Sequence, residues 1–175
     1  KIAERGYTVV SASDIVREEI ARRGLVPSRE LQTQIANEVR QTKGGEYFAI
    51  EALRRARADA EVSKMVITGI YATAEGIYLK GEGAKLIHVR ADGEEEENNL
   101  QSRYSLLTKR SDGSRDVLSY EQFRAAHLRE NTGQTPQEAN ISSLATLADI
   151  ELINTYDSSL DSRLTVVLER IDNDS

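Results

Sequence analysis

The sequence has 175 residues, of which 39% are hydrophobic and 30% are charged, and this balance predicts one soluble globular domain spanning residues 1–175. The formal net charge of −6 argues against broad nucleic-acid binding, because that activity needs a basic surface. Cysteine is absent, which excludes disulfides, zinc–thiolate sites and thiol nucleophiles. The sequence has no bilayer-length apolar run and no basic-then-apolar leader, so we expect a cytoplasmic protein without a membrane partner.

Four short segments of apolar or β-branched residues predict strands that are buried on both faces. They are Thr8 to Ser11, Met65 to Ile70, Ala84 to Val89 and Ile150 to Asn154. The stretches between and after these segments have the apolar spacing of helices. Because strands that alternate with helices favour parallel pairing through right-handed crossovers, the predicted fold class is α/β with a doubly wound parallel sheet.

The segment from Ser111 to Ser119 is polar, contains one glycine and lies between two helical segments. This composition predicts a mobile flap inserted between two helices.

The first six residues have the pattern of the last turns of an amphipathic helix, closed by Gly6. In a layout of alternating strands and helices, such a helix follows a strand. We therefore expect roughly twenty further residues before Lys1, including the first strand of the sheet.

Six strings in order carry a family resemblance: SASDIVREEIARRG, NEVRQTKGGEYFAIEAL, VITGIY, GAKLIHVRAD, YEQF and LADIELINTYDS. They resemble the dephospho-CoA-kinase-like and nucleoside-monophosphate-kinase-like P-loop proteins over nearly the whole chain. The resemblance implies a five-stranded parallel sheet of the adenylate-kinase-like P-loop NTPase type. In that fold the central first strand leads into a GxxxxGK loop, and no such string occurs in this sequence.

The resemblance also implies a division of the chain and a set of cofactors. The core would comprise residues 1–92 and 131–175, and a helical lid insertion would span about residues 93–130. The implied cofactors are ATP and the Mg²⁺ that accompanies it. No other metal is expected.

Asp14 and Arg17 follow the first predicted strand, at the edge where α/β sheets bind ligands. The resemblance implies that Asp14 acts as a base near the acceptor hydroxyl, whereas its position alone also suits a helix N-cap. Arg17 is implied to bind the acceptor's phosphate, with an exposed salt bridge to Glu18 or Glu19 as the alternative. Arg40 is implied as a second acceptor-side arginine.

Gly69 and Tyr71 lie at the end of the second predicted strand, where many of the resembling proteins have Gly followed two residues later by Arg. The resemblance places both residues at the acceptor site. Tyr71 offers a ring and one hydroxyl instead of a phosphate-binding fork, so a different acceptor, or none, is implied. Plain packing of the ring is the alternative.

Arg103 and Arg110 are spaced by close to two helical turns, which puts them on one side of a helix. The resemblance implies catalytic lid arginines that close over the phosphates of ATP, and a solvated surface is the alternative. Asn154, Thr155 and Asp157 follow the last strand and resemble the loop that borders the adenine, where the backbone makes the contacts.

The function expected from these residues is ATP-dependent phosphoryl transfer to a small nucleotide-like or CoA-precursor acceptor. One alternative is a noncatalytic nucleotide-binding or regulatory domain, and another is a small P-loop ATPase. The sequence does not indicate the acceptor or the oligomeric state.

Overall fold

The computed structural model describes residues 2–58, 62–91, 96–109, 119–155 and 159–173. In this part of the chain the protein is α/β, and its strands pair in parallel. The chain divides into two compact units. Unit 1 comprises Lys1–Ala84 and Leu128–Leu147, and unit 2 comprises Lys85–His127 and Ala148–Ser175.

The elements follow one another in the predicted alternation of strands and helices. In chain order they are β1 (Thr8–Ser11), α1 (Ala12–Arg22), α2 (Arg29–Lys43), α3 (Tyr47–Ala56), β2 (Met65–Thr68), α4 (Thr73–Gly81), β3 (Ile87–Ala91), α5 (Glu96–Lys109), α6 (Tyr120–Asn131), α7 (Ile141–Ala145), β4 (Ile150–Asn154) and α8 (Ser159–Asn173). A 3-10 turn over Ala3–Arg5 precedes them and is closed by Gly6 at φ 80°. No helix in the described ranges is both long and apolar enough to span a bilayer.

Unit 1 is built on the parallel pair β1–β2, which runs from Thr8 opposite Met65 to Ser11 opposite Thr68. Its core lies among α1, α2 and α3, because each of these helices turns one apolar face inward. The buried cluster contains Ala12, Ile15, Val16, Ile20, Ile35, Ala36, Val39, Phe48 and Ala52. Since both strands end at the same level, the segments that follow them start at one edge of the pair.

Unit 2 is built on the parallel pair β3–β4, which extends to Ala91 opposite Asn154. Helix α8 contacts β4. Helices α5 and α6 meet through aromatic rings, since the Tyr104 ring centroid lies 5.4 Å from that of Tyr120 and 5.7 Å from that of Phe123.

The strands differ from the sequence prediction in extent and burial. β1 and β4 have the predicted bounds, whereas β2 ends at Thr68 because Gly69 adopts a left-handed conformation at φ 76°. The prediction of strands buried on both faces is wrong. Leu152 is the one buried strand residue of the described part, and Val9 and Val89 are 45% and 54% exposed. In the described part of the chain, helices cover each strand pair only in part, so apolar strand residues remain exposed.

Candidate functional site

The carboxyl edge of β1 and β2 brings two chain segments together in unit 1. β1 ends opposite β2 at Ser11 and Thr68, so the start of α1 and the segment 69–72 leave the strands side by side. The approach is close, because a Cβ on Gly69 would lie 2.5 Å from Ser13 Oγ and 3.1 Å from Ser13 N. This contact requires glycine at position 69.

Asp14 and Arg17 form an ion pair on the first turns of α1. Their side chains are 56% and 46% exposed, respectively, so both are accessible to a ligand. The alternative that Asp14 is the helix N-cap is wrong, because Ser11 occupies that position. Within the first turn, the Asp14 carboxylate still interacts favourably with the helix dipole.

Tyr71 is at the centre of a polar cluster at the same edge. Its phenol interacts with the Ser13 side chain. Burial raises the pKa of the Tyr71 phenol and the Glu130 carboxylate adds to that rise, whereas Arg29, the Ser13 hydrogen bond and Arg17 oppose it. The net effect is a phenol that stays neutral and can donate a hydrogen bond.

Glu130 and Arg29 complete this cluster. Arg29 Nη2 lies 2.9 Å from Glu130 Oε1 and 3.0 Å from Oε2, and Arg29 Nε lies 3.2 Å from Oε1. Glu130 is only 8% exposed, and burying its carboxylate without a cation would be costly. Arg29 supplies the compensating charge. Sequence reasoning missed Ser13, Arg29 and Glu130, since no local pattern links residues this far apart in the chain.

Arg40 and Glu75 form a second, fully buried pair below the segment 69–72. They are 3% and 0% exposed, and Arg40 Nε lies 2.8 Å from Glu75 Oε1. Glu75 Oε2 accepts hydrogen bonds from the backbone N–H groups of Tyr71 and Ala72, both at 3.0 Å. Sequence reasoning missed Glu75, although a glutamate at the third position of a helix is a known signal of backbone capping.

Arg103 lies in unit 2 and contacts α6. Its guanidinium carbon is 5.8 Å from the Phe123 ring centroid, and its Nη1 is 3.4 Å from His127 Nδ1. Arg110, the other predicted lid arginine, is outside the described residues.

Asn154 and Thr155 lie at the carboxyl end of β4. Asn154 is the last residue of the strand, and the Thr155 hydroxyl is 3.4 Å from Ser159 Oγ at the start of α8. Arg163 Nη1 donates a hydrogen bond to the Ile153 carbonyl at 3.0 Å, which ties α8 to the end of β4. Asp157 is outside the described residues.

Unit 1 thus holds the predicted acceptor-side residues together, and unit 2 holds the other described ones. Asp14, Arg17, Gly69 and Tyr71 lie at the carboxyl edge of β1 and β2, and Arg40 is buried under Tyr71. Within the described ranges, no group of three or more histidine, aspartate or glutamate residues is placed to hold a metal ion.

The fold and site define an α/β protein with parallel strand pairs and a polar cluster at the carboxyl edge of one pair. No protein-family model matches the sequence. The chain is 30% identical to a UPF0200 protein of Methanosarcina barkeri (strain Fusaro / DSM 804) over 145 residues, which are 79% of this chain and 73% of that protein. The chain belongs to the UPF0200 family.

Proposed function

We propose that this protein is an ATP-dependent phosphotransferase of the P-loop kinase class that acts on a small nucleotide-like or CoA-precursor acceptor. The observation that carries the proposal is the exposed Asp14–Arg17 pair beside Gly69 and Tyr71 at the carboxyl edge of two parallel strands. α/β proteins bind their ligands at such edges.

Each residue at the edge has a role in the proposed reaction. Asp14 is an accessible carboxylate that accepts the proton of the acceptor hydroxyl as that hydroxyl attacks. Arg17, one turn further along α1, binds an anionic group of the acceptor through two nitrogens. The neutral Tyr71 phenol lines the acceptor site with its ring and donates one hydrogen bond.

ATP with Mg²⁺ supplies the phosphoryl group in this proposal. This sequence offers only part of a nucleotide site, since it contains no GxxxxGK string with which backbone amides cradle phosphates. The part it offers is the backbone at Asn154 and Thr155 for the adenine, with Arg103 and Arg110 as lid cations. A doubly wound P-loop fold and a cytoplasmic location belong to the same proposal, and the parallel pairing of β1–β2 and β3–β4 supports the fold.

The decisive experiment measures ADP formation by the full-length protein. ATP and Mg²⁺ are supplied with AMP, CMP or dephospho-CoA as the probe acceptor. We expect ADP to form only when an acceptor is present, and Asp14→Asn to lower kcat about a hundredfold or more. Glu82→Gln, which changes a carboxylate after α4 that pairs with Arg57, is the matched control and should retain full activity.

A noncatalytic nucleotide-binding domain is the second candidate, and Tyr71 favours it. The resemblance places arginine at this position in many proteins, and a phenol lacks the charge to hold a phosphate. Calorimetric titration with ATP separates the candidates. Nucleotide binding without turnover on any acceptor supports the noncatalytic domain, whereas ADP formation without an acceptor indicates an ATPase.

A further inference from the structure

The Arg40–Glu75 ion pair is the most deeply buried charge pair among the described residues, with side-chain exposures of 4% and 0%. Removing two charges from water is costly, and well-packed apolar side chains often stabilise a protein as well as such a pair does. A buried pair therefore suggests a role beyond stability.

The pair supports the backbone at the start of α4. Ala72 is the N-cap residue of this helix and has no side-chain acceptor for the unpaired N–H groups there. Glu75 supplies that acceptor, because its Oε2 binds the N–H groups of Tyr71 and Ala72. Arg40 compensates the charge of Glu75 through the other oxygen.

The main chain of Tyr71 is held on both sides, and the Arg40–Glu75 pair supplies one of these two contacts. Glu75 binds its N–H group at 3.0 Å, and the N–H of Asn140 donates to its carbonyl at 2.9 Å. Its phenol also interacts with the Ser13 side chain. Such a side chain is pre-organised, and a fixed donor discriminates between ligands better than a mobile one.

We propose that Arg40 is a positioning residue, which acts through Glu75 to fix Tyr71, and that Tyr71 selects the acceptor. Selection of an acceptor rests on the proposed function. Arg40 does not contact the acceptor, because its guanidinium is enclosed between Glu75, Asn37 and the Phe48 ring.

The first test is amide hydrogen exchange of the ligand-free, full-length protein. The double variant Arg40→Met/Glu75→Leu removes both charges together, so no buried charge is left without a partner. We expect the amides of Tyr71 and Ala72 to exchange at least about tenfold faster than in the wild type, because they lose their acceptor. Arg40→Lys retains the compensating charge and should restore slow exchange.

A matched control and a second apolar variant complete this test. Arg57→Met/Glu82→Leu removes an exposed pair that does not touch the segment 69–72, and it should leave the exchange of both amides unchanged. Arg40→Leu/Glu75→Met also removes both charges and the acceptor oxygen, so it applies the same test if the first double variant does not fold. Unchanged exchange of both amides in a folded double variant would overturn the proposal.

The second test measures acceptor choice. We compare kcat/KM for AMP, CMP and dephospho-CoA in the wild type, Arg40→Lys and the double variant. The proposal expects the ratios among acceptors to change at least about threefold in the double variant, with the KM for ATP constant and Arg40→Lys close to the wild type. An Arg40 that binds acceptor directly would instead raise the acceptor KM in Arg40→Lys and leave the Tyr71 amide unaffected. If no probe gives ADP, the proposed function fails, and the exchange data still decide whether Arg40 positions Tyr71.

Discussion

Arg29 and Glu130 form an ion pair across 101 residues of sequence, with two guanidinium nitrogens directed at one carboxylate. The pair joins the first residue of α2 to the last turn of α6. A neighbouring contact between Arg129 and Glu30, at 3.3 Å, links the same two helices. Glu130 is thereby held close enough to Tyr71 to raise the pKa of its phenol.

Arg29→Met should destabilise the protein by roughly 1–3 kcal/mol, because it leaves the mostly buried Glu130 carboxylate without its cation. Arg129→Met is the matched control, and the loss of its largely exposed pair should cost less than about 1 kcal/mol. Urea denaturation gives both free energies of unfolding. Equal losses in the two variants would contradict the structural role assigned to the Arg29–Glu130 pair.

Gly69→Ala should lower the free energy of unfolding by about 1–3 kcal/mol, because φ 76° is unfavourable for alanine and the new Cβ would approach Ser13 Oγ at 2.5 Å. Gly81→Ala is the control, since a Cβ at the last position of α4 meets nothing within 4 Å. Thermal denaturation should show a clear decrease in Tm for Gly69→Ala alone. A Tm equal to that of the wild type would mean that α1 and the segment 69–72 do not approach so closely.

Two carboxylates on α1 and α3 predict a loss of stability in acid. Hydrogen bonds from Arg22 and then Arg23 lower the pKa of Glu19 to about 2, and those from Arg54 and then Arg55 lower the pKa of Glu51 to about 2. The ordinary pKa of a glutamate side chain is 4.5. Between these values the unfolded chain binds protons that the folded protein does not. The stabilisation is therefore complete above pH 4.5 and is lost as the pH falls to about 2.

Thermal denaturation between neutral pH and pH 2.5 measures this effect. The double variant Glu19→Gln/Glu51→Gln should have a lower Tm at neutral pH by a few degrees, and its Tm should fall less steeply with acid. Gln34→Glu, which adds an exposed carboxylate on α2, is the control and should follow the wild-type curve. Parallel curves for the wild type and the double variant would refute the assignment.

Arg17→Ala should lower acceptor binding or turnover by an order of magnitude or more, while the fold stays nearly intact. Arg17 lies at the carboxyl edge, where a ligand can reach it. Because its side chain is half-exposed, its ion pair contributes little to stability. Arg22→Ala, on the last turn of the same helix and 72% exposed, is the matched control for steady-state kinetics of ADP formation. Equal kinetics in the wild type and Arg17→Ala would contradict the proposed role of Arg17 in acceptor binding.

The sequence predicted the elements that depend on local patterns. β1 and β4 have the predicted bounds, because each is a short β-branched or apolar run between polar residues. α2 ends at Lys43, since Gly44 follows as its C-cap residue. The pairing of Asp14 with Arg17 also follows from helical spacing alone.

Contacts between residues far apart in the chain cannot be predicted from the sequence pattern. Arg40 was grouped with the substrate-binding residues by resemblance, yet its burial depends on Glu75, a residue 35 positions away. The position of Glu130 near Tyr71 also depends on a distant contact, because Arg29 of α2 binds Glu130 of α6. Helix and strand patterns report the burial of one face, and they carry no information about which polar side chain meets which.

The glutamate that caps α4 has a consequence for how the family could diversify. Two hydrogen bonds restrain the main chain at position 71, and neither involves the side chain of that residue: its N–H donates to Glu75, and its carbonyl accepts from the N–H of Asn140. A single codon change there can thus replace a phenol with a cation or an aliphatic group while the path of the polypeptide stays as it is.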